Sequence, residues 1–257
     1  MPISKMKERK LAVLIDADNV PYGNIREMLD EIAKYGNPII KRIYADWTNK
    51  GVSGWKKVLL ENAITPIQQY SYTKGKNSTD SALIIDAMDL LYSEKVDGFC
   101  IVSSDSDFTR LATRLREAAM YVIGIGEKKT PKPFITACDK FVYIEILKRD
   151  NILPDTLMKE EIKTKNKPKD EAVGRIDQDL TNLLKESIEE VSDDSGWVFL
   201  GVLGNHIIKK RKDFDPRNYG FSKLYPLIKQ TDIFDIEIRK TGDNQNGHIY
   251  IKNRISG

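Results

Sequence analysis

Residues 98–108 read GFCIVSSDSDF and decide the fold of this chain. The segment from Gly98 to Val102 is an apolar run without a helical period, which predicts a buried strand. The run stops at two serines and two carboxylates, and Phe108 then opens a segment with apolar side chains spaced as one face of a helix. The stretch therefore predicts a strand, a tight acidic turn and a helix. In open α/β sheets, ligands bind at turns of this kind.

The overall composition is that of a soluble globular protein. The chain has 257 residues, which is enough for one large or two ordinary domains. Of these residues, 40% are hydrophobic and 31% are charged. The net charge of +3 means that any attraction to nucleic acid must come from local clusters. The polar, basic first ten residues lack the apolar region of a signal peptide, and no apolar run approaches the roughly 20 residues of a membrane helix. We expect a cytoplasmic protein with no membrane partner.

Apolar runs and helical faces alternate along the first part of the chain. Because strands that alternate with helices build parallel sheets, the pattern predicts an α/β fold with a doubly wound parallel sheet. The predicted strands are 10–16, 38–44, 64–70, 98–102, 121–126 and 141–144, and the helices between them include 24–35, 55–62 and 81–92.

The character of the sequence changes after residue 147. Residues 148–176 are rich in lysine and poor in apolar side chains, so we predict a solvated linker between a first domain, 1–147, and a second domain, 177–257. The second domain should be smaller and winged-helix-like. Its predicted elements are a helix from about 177, a strand at 197–200, helices at 203–212 and 221–230, and a hairpin of 234–240 with 248–252.

Carboxylates follow strands or open helices at three separated places in the first domain. Asp16 ends the first strand, Asp105 and Asp107 follow the fourth, and Asp80 precedes the helix after the third. If strands one and four lie side by side, these acids share one rim of the sheet. Carboxylates that lie this close together raise each other's pKa unless a cation lies among them. Carboxylate oxygens without histidine or cysteine suit Mg²⁺ or Mn²⁺.

Two of these acids also have a simpler interpretation. Asp80 and Asp107 could cap the helices that they precede. Asp16 has no such explanation, because a carboxylate at the end of a buried strand gains nothing evident from packing. The joint placement at several strand ends favours a site.

Three motifs carry a resemblance to a known family. Asp16-x-Asp18-Asn19 after a strand, Lys76 ahead of Asp80, and the segment 103–108 are similar to the NYN domain, a branch of the PIN-like metal-dependent ribonucleases. The resemblance implies that Asp16, Asp80 and Asp105 bind Mg²⁺ or Mn²⁺ and that Asp107 assists. It also implies that Asn19 and Ser103 orient waters or phosphate oxygens. Relatives often have Ser-Gly where this chain has Ser103-Ser104.

The second domain resembles the LOTUS (OST-HTH) module, an extended winged helix. The resemblance depends on Gly196-Trp197-Val198, Phe214-Asp215-Pro216 and Tyr219-Gly220. It implies RNA binding or protein docking rather than chemistry.

Two clusters predict contact with RNA. Tyr70, Tyr72, Lys74 and Lys76 alternate aromatic and basic side chains near the acidic residues, which suits stacking on a single strand. Lys209, Lys210, Arg211 and Lys212 form a basic run in the second domain. A solvated face explains runs of this kind equally well.

Together these features predict a metal-dependent endoribonuclease with a C-terminal RNA-binding module. Residues 1–147 contain no histidine to act as general base, so the metal must generate the nucleophile. One alternative is a non-catalytic RNA-binding adaptor on a nuclease fold. Another is a haloacid-dehalogenase-like phosphatase with Asp16 as nucleophile and Asp18 as general acid, although Asn19 and the absence of Ser or Thr at the end of strand two speak against it.

Overall fold

A computed structural model describes residues 8–52, 54–70, 78–147, 176–239 and 247–254. The chain divides into two compact units, with the boundary between residues 152 and 153. The predicted linker lies outside the described residues apart from Ile176, so its extent and the exact domain bounds stay predictions. None of the helices in the described ranges has both the length and the apolar composition needed to cross a bilayer.

The first unit alternates strands and helices, as the sequence pattern predicts. Its strands are β1 (Lys10–Asp16), β2 (Asn37–Ala45), β3 (Thr65–Gln68), β4 (Gly98–Val102), β5 (Tyr121–Gly126) and β6 (Lys140–Tyr143). Its helices are α1 (Ile25–Ala33), α2 (Trp55–Asn62), α3 (Ser78–Tyr92), α4 (Thr109–Glu117), α5 (Lys132–Ala137) and α6 (Ile144–Leu147), with single 3₁₀ turns at Tyr22–Asn24, Lys50–Val52 and Ser106–Phe108.

All six strands are parallel and lie in the order β3-β2-β1-β4-β5-β6. The chain adds strands toward one edge of the sheet from β1 to β3 and toward the other edge from β4 to β6. The two halves meet between β1 and β4, which are neighbours with Ile15 opposite Val102. This adjacency places the residues that follow β1 and β4 at the same rim, where ligands of doubly wound sheets bind. The predicted α/β fold is confirmed.

Both faces of the sheet are buried, because successive side chains along each strand point to opposite faces and each face carries a hydrophobic core. Leu11, Val13 and Ile15 of β1 belong to one hydrophobic core, whereas Ala12 and Leu14 belong to the core on the other face. Fully buried strands of this kind are typical of parallel sheets covered by helices on both sides. The sheet is therefore a rigid support for the side chains at its carboxyl ends.

The second unit is a small helical domain with a three-stranded antiparallel sheet in the order β7-β9-β8. One hydrophobic core holds it together, with Leu184, Leu203 and Ile251 fully buried. Its elements are α7 (Gln178–Val191), β7 (Trp197–Phe199), α8 (Leu200–Lys210), a 3₁₀ turn (Pro216–Tyr219), α9 (Leu224–Thr231), β8 (Phe234–Arg239) and β9 (His248–Asn253).

Several boundaries differ from the sequence prediction. Helix α3 begins at Ser78, so Asp80 lies in its first turn rather than ahead of it, and strand β3 is limited to Thr65–Gln68. Helix α8 ends at Lys210, which leaves Arg211 and Lys212 beyond the helix. The helix predicted at 221–230 begins only at Leu224, since its first residues follow the 3₁₀ turn. Ends of elements depend on capping contacts that periodicity does not report.

Candidate metal centre

Asp16 is the last residue of β1 and is fully buried. Its Oδ1 accepts a hydrogen bond from the Asp18 backbone N–H at 3.1 Å. Its Oδ2 accepts from Asn19 Nδ2 at 2.7 Å and from Ser103 Oγ at 2.8 Å. Burial raises the pKa of the Asp16 carboxyl, and these hydrogen bonds oppose the shift because they stabilise the charged form.

Ser103 connects the turn after β1 to the turn after β4. It is fully buried, and while its Oγ donates to Asp16, the same oxygen accepts from the Asp105 backbone N–H at 3.1 Å. Its own backbone N–H donates to the carbonyl of Ile125 at 3.0 Å. The ends of β1, β4 and β5 are thereby joined through one hydroxyl-bearing residue.

Gly126 at the end of β5 makes this close approach possible. A Cβ at that position would lie 2.6 Å from the Ser103 carbonyl oxygen and 2.7 Å from Thr130 Oγ1, closer than side chains pack. The neighbouring Glu127 backbone N–H donates to Ser104 Oγ at 2.9 Å. Ser104 thus has a partner of its own in the turn. The close approach of Gly126 to Ser103 and the hydrogen bond of Ser104 were not predicted from the sequence. A glycine at the end of a predicted strand is a signal for such a close approach of two backbones, so Gly126 could have indicated the first of these contacts.

The acidic turn is capped by Asp105. Asp105 occupies the N-cap of the 3₁₀ turn Ser106–Phe108, and its Oδ1 accepts from the Asp107 backbone N–H at 2.9 Å. Helix α4 then begins at Thr109 with Phe108 at its N-cap, so Asp107 does not hold the capping position that its simpler interpretation gave it. Asp80 likewise lies inside the first turn of α3 rather than at its N-cap.

Three carboxylates converge at this rim. One oxygen each from Asp80, Asp105 and Asp107 lies within 4.8 Å of the other two. The pKa of Asp80 is raised to about 6, first by burial and then by the negative charges of neighbours, of which Asp16 and Asp105 act most strongly. Asp16 therefore contributes to the field of the cluster, while its oxygens are bonded to neutral donors.

The donor set fits a hard divalent cation. Carboxylate oxygens at this spacing, two of them half-buried and one exposed, leave an open side for waters and phosphate oxygens. A cation would also remove the repulsion that raises the pKa of Asp80. Asn19 and Ser103 lie next to this group but donate to Asp16.

Asp86 and Asp89, farther along α3, lie apart from the cluster. Asp86 accepts from the Arg42 guanidinium and from the Tyr44 hydroxyl. Burial and the Asp86 carboxylate raise the pKa of Tyr44. Asp89 is exposed. Asp86 therefore ties α3 to strand β2.

The residues predicted to contact RNA differ in their exposure and in whether they are paired with acids. Tyr70 follows β3 with 55% of its surface exposed, whereas Tyr72, Lys74 and Lys76 lie outside the described residues. In the second unit, half of the basic run is paired: Lys210 lies 2.8 Å from Glu190 and 3.4 Å from Glu186, and Arg211 lies 3.5 Å from Asp213. Lys209 is exposed and Lys212 half-buried.

Comparison with known proteins gives a family for each unit. The model of the NYN domain family matches residues 10–145, and that of the OST-HTH/LOTUS domain matches residues 175–245. No curated protein sequence matches the chain.

Several solved structures are similar to parts of the chain. A protein of unknown function from Vibrio parahaemolyticus is 20% identical, with 55% of this chain and 96% of that one covered and a TM-score of 0.45. An uncharacterized protein from Nitrosomonas europaea is 30% identical over 37% of this chain and 92% of that one, with a TM-score of 0.30. A protein from Chromobacterium violaceum is 31% identical over 32% and 86% of the two chains, with a TM-score of 0.27.

Proposed function

Because the chain belongs to the NYN domain family and carries a C-terminal OST-HTH/LOTUS domain, we propose that it is a metal-dependent endoribonuclease. The two domains combine a PIN-like nuclease domain with an RNA-binding module, as the sequence motifs predict. The observation that carries the proposal is the convergence of Asp80, Asp105 and Asp107 at the rim between β1 and β4. The cap that Asp105 makes explains one of these carboxylates, but it does not explain why Asp80 and Asp107 lie beside it.

Asp80, Asp105 and Asp107 would hold Mg²⁺ or Mn²⁺, which when bound supplies an activated water and offsets the charge of the attacked phosphate. The cap that Asp105 makes for the turn after β4 fixes its carboxylate relative to Asp107. Asp16, behind them, adds negative potential that favours a cation over an anion at this place. Residues 1–147 contain no histidine to accept a proton. The reaction would be in-line hydrolysis that leaves a 5′-phosphate, as the family resemblance implies.

Ser103 and Asn19 have a positioning role in this proposal. Each donates to Asp16 Oδ2, and Ser103 also accepts from the backbone of Asp105. They fix the Asp16 carboxylate and the turn that carries the metal-binding acids. Rigid support of this kind is what a metal site needs from the residues around its ligands.

Cleavage of a circular single-stranded RNA tests the proposal, because only an endonuclease opens a circle. The full chain should linearise the RNA in Mn²⁺ and lose that activity in EDTA. Binding of Mn²⁺ is measured separately by electron paramagnetic resonance. A chain that binds Mn²⁺ and RNA but cuts neither the circle nor the same RNA in linear form would be the non-catalytic adaptor, whereas loss of the linear RNA alone would indicate an exonuclease.

The phosphatase alternative has its own test. A nucleophilic aspartate must reach a phosphate, whereas the Asp16 carboxylate is buried and accepts three hydrogen bonds. We expect no hydrolysis of para-nitrophenyl phosphate and no beryllofluoride adduct. Turnover that disappears in Asp16→Asn would show that Asp16 is a nucleophile.

A further inference from the structure

The sheet of the second unit has one face in the core and one face outside it. Val198 of β7 and Ile251 of β9 lie opposite each other and are buried. Their neighbours along the strands point the other way, because side chains alternate across a sheet. In this register Trp197 lies opposite Lys252, Phe199 opposite Tyr250, and Arg239 of β8 opposite His248. The outer face thus collects four rings and two cations: Trp197, Phe199, His248, Tyr250, Arg239 and Lys252.

The rings of this outer face contact one another without being buried. Phe199 is 38% exposed, and its ring centroid lies 5.9 Å from that of Tyr250 and 5.3 Å from that of His248. A phenylalanine with this exposure loses the favourable burial that apolar rings obtain in a core. Gly201 lets the ring lie against the start of α8, since a Cβ there would be 2.7 Å from Phe199 Cε1. The ring is therefore held in place and open to a ligand.

The cations of the outer face lie over its rings. The Arg239 guanidinium lies 4.3 Å from the Tyr250 centroid and 5.3 Å from the Trp197 centroid. Lys252 Nζ lies 6.0 Å from the Trp197 centroid and donates to the Ser195 carbonyl at 2.8 Å. Within the described residues Lys252 has no carboxylate partner. A cation beside exposed rings is complementary to a nucleotide, which offers a base to the ring and a phosphate to the cation.

The acids on the same face do not cancel this complementarity. Glu237 accepts both hydrogen bonds that Arg239 donates to a carboxylate, at 2.9 and 3.0 Å, and Asp235 accepts from Arg254 at 3.2 Å. Each acid is thus neutralised by an arginine. Arg239 is therefore paired with an acid of its own unit, as Lys210 and Arg211 are, which leaves Lys252 to attract a phosphate.

We propose that the outer sheet face binds unpaired RNA bases, which stack on the exposed ring of Phe199 while Lys252 contacts a phosphate and Tyr250 and Trp197 flank the bound base. The inference rests on the proposed function, in that RNA is taken as the partner. Aromatic rings on a sheet select single strands because bases in a duplex are already stacked. Every base has a π-face, so the preference should be for unpaired RNA rather than for one sequence.

Binding of a fluorescein-labelled oligouridine to the full chain in EDTA tests this assignment. Phe199→Ala should weaken binding about 5-fold or more, the loss expected for one stacked base. Phe199→Leu should weaken it similarly although it keeps the apolar volume, whereas Phe199→Trp should retain wild-type affinity. Ile238→Ala is the matched control, because Ile238 is 60% exposed on the same sheet but points to the other face.

Photocrosslinking with 5-iodouridine RNA reports the contact directly. Adducts should form on Phe199, Trp197 or Tyr250, and their absence together with adducts on residues 209–212 would overturn the assignment. An unchanged Kd for both Phe199→Ala and Phe199→Leu would also overturn it and leave the face to a protein partner. If the wild type still opens circular RNA, only this inference fails. If the wild type neither binds nor cuts RNA, the proposed function fails with it.

Discussion

The acidic rim of the first unit and the outer sheet face of the second unit differ in how their charged side chains are paired. At the rim, the neighbours that raise the pKa of Asp80 are all carboxylates. On the sheet face, Glu237 and Asp235 are each bonded to an arginine. Accumulated negative charge costs stability unless a cation neutralises it, which is the reason for proposing a metal at the rim. Neutralised charge leaves little electrostatic attraction, so binding at the sheet face must come mainly from its rings.

The largest effect should come from Asp105→Asn. Asparagine can still accept the Asp107 backbone N–H and keep the cap, but it removes one metal-binding charge. We expect RNA cleavage in Mn²⁺ to fall about 1000-fold, since a metal supplies several kcal/mol of transition-state stabilisation. The melting temperature without metal should stay the same or rise, because repulsion is relieved.

Asp89→Asn is the matched control for that change. Asp89 is an exposed acid on α3, the helix that carries Asp80, and it lies outside the three-carboxylate group. Its variant should cleave like the wild type. Wild-type cleavage by Asp105→Asn would remove Asp105 from the site.

A smaller loss is expected for Ser103→Ala. The change leaves the buried Asp16 Oδ2 with one donor instead of two and frees the Asp105 backbone N–H. Unfolding free energy should fall by about 1–3 kcal/mol, and Mn²⁺ affinity should fall about 10- to 100-fold.

Ser106→Ala, on an exposed serine of the same turn, should change neither the unfolding free energy nor the Mn²⁺ affinity. If Ser103→Ala lost stability but kept the wild-type Mn²⁺ affinity, Ser103 would have a structural role alone and no role in positioning the metal-binding residues.

The basic run should contribute less to RNA binding than its sequence indicates. If all four residues contacted one strand, their replacement would change the slope of log Kd against log salt by about 3. Because Lys210 and Arg211 are paired with acids, we expect the double variant Lys209→Ala, Lys212→Ala to change the slope by about 1.4 at most. Replacing Lys223 and Lys229, two exposed lysines of the same unit, controls for net charge. If replacing Lys210 and Arg211 as well brought the total change in slope to about 3, the paired residues would exchange their acids for phosphates when RNA binds.

The smallest effect concerns the pH dependence of the metal-free protein. The pKa of Asp80 is about 6 in the folded chain and near its ordinary value of 3.8 when unfolded. Between these values the folded state holds a proton that the unfolded state has lost, so stability should fall as the pH rises from about 4 to about 6. The change should be about 1 kcal/mol, because Asp80 is partly exposed and solvent screens its neighbours.

Urea unfolding in EDTA at several pH values measures this change as the difference between the wild type and Asp80→Asn. The variant should lack this component of the pH dependence and be the more stable of the two above pH 6. Parallel curves for the two proteins would show that neither burial nor the surrounding acids raise the pKa of Asp80.

The sequence by itself determined the fold of each unit and predicted the edge of the sheet where the candidate site lies. Strand β4 and the apolar face of α4 follow from the order of apolar and polar residues, and Phe108, Leu111 and Leu115 are buried as that order predicts. Such patterns are local, since burial on both faces gives a continuous apolar run and burial on one helical face gives a period of 3.6. The family resemblances are likewise properties of short segments, and both are confirmed.

Only the tertiary structure decided which atoms meet. The family resemblance gives Asp16, Asp80 and Asp105 the same role, yet Asp16 is buried among three donors while Asp80 and Asp105 converge with Asp107. The difference arises because Ser103, distant in the chain, reaches Asp16 once β4 lies beside β1. The pairing of Lys210 with Glu186 and Glu190 has the same origin, since packing of α8 on α7 brings these charges together. Periodicity fixes which face of an element is buried, but distances between side chains on different elements are fixed by packing.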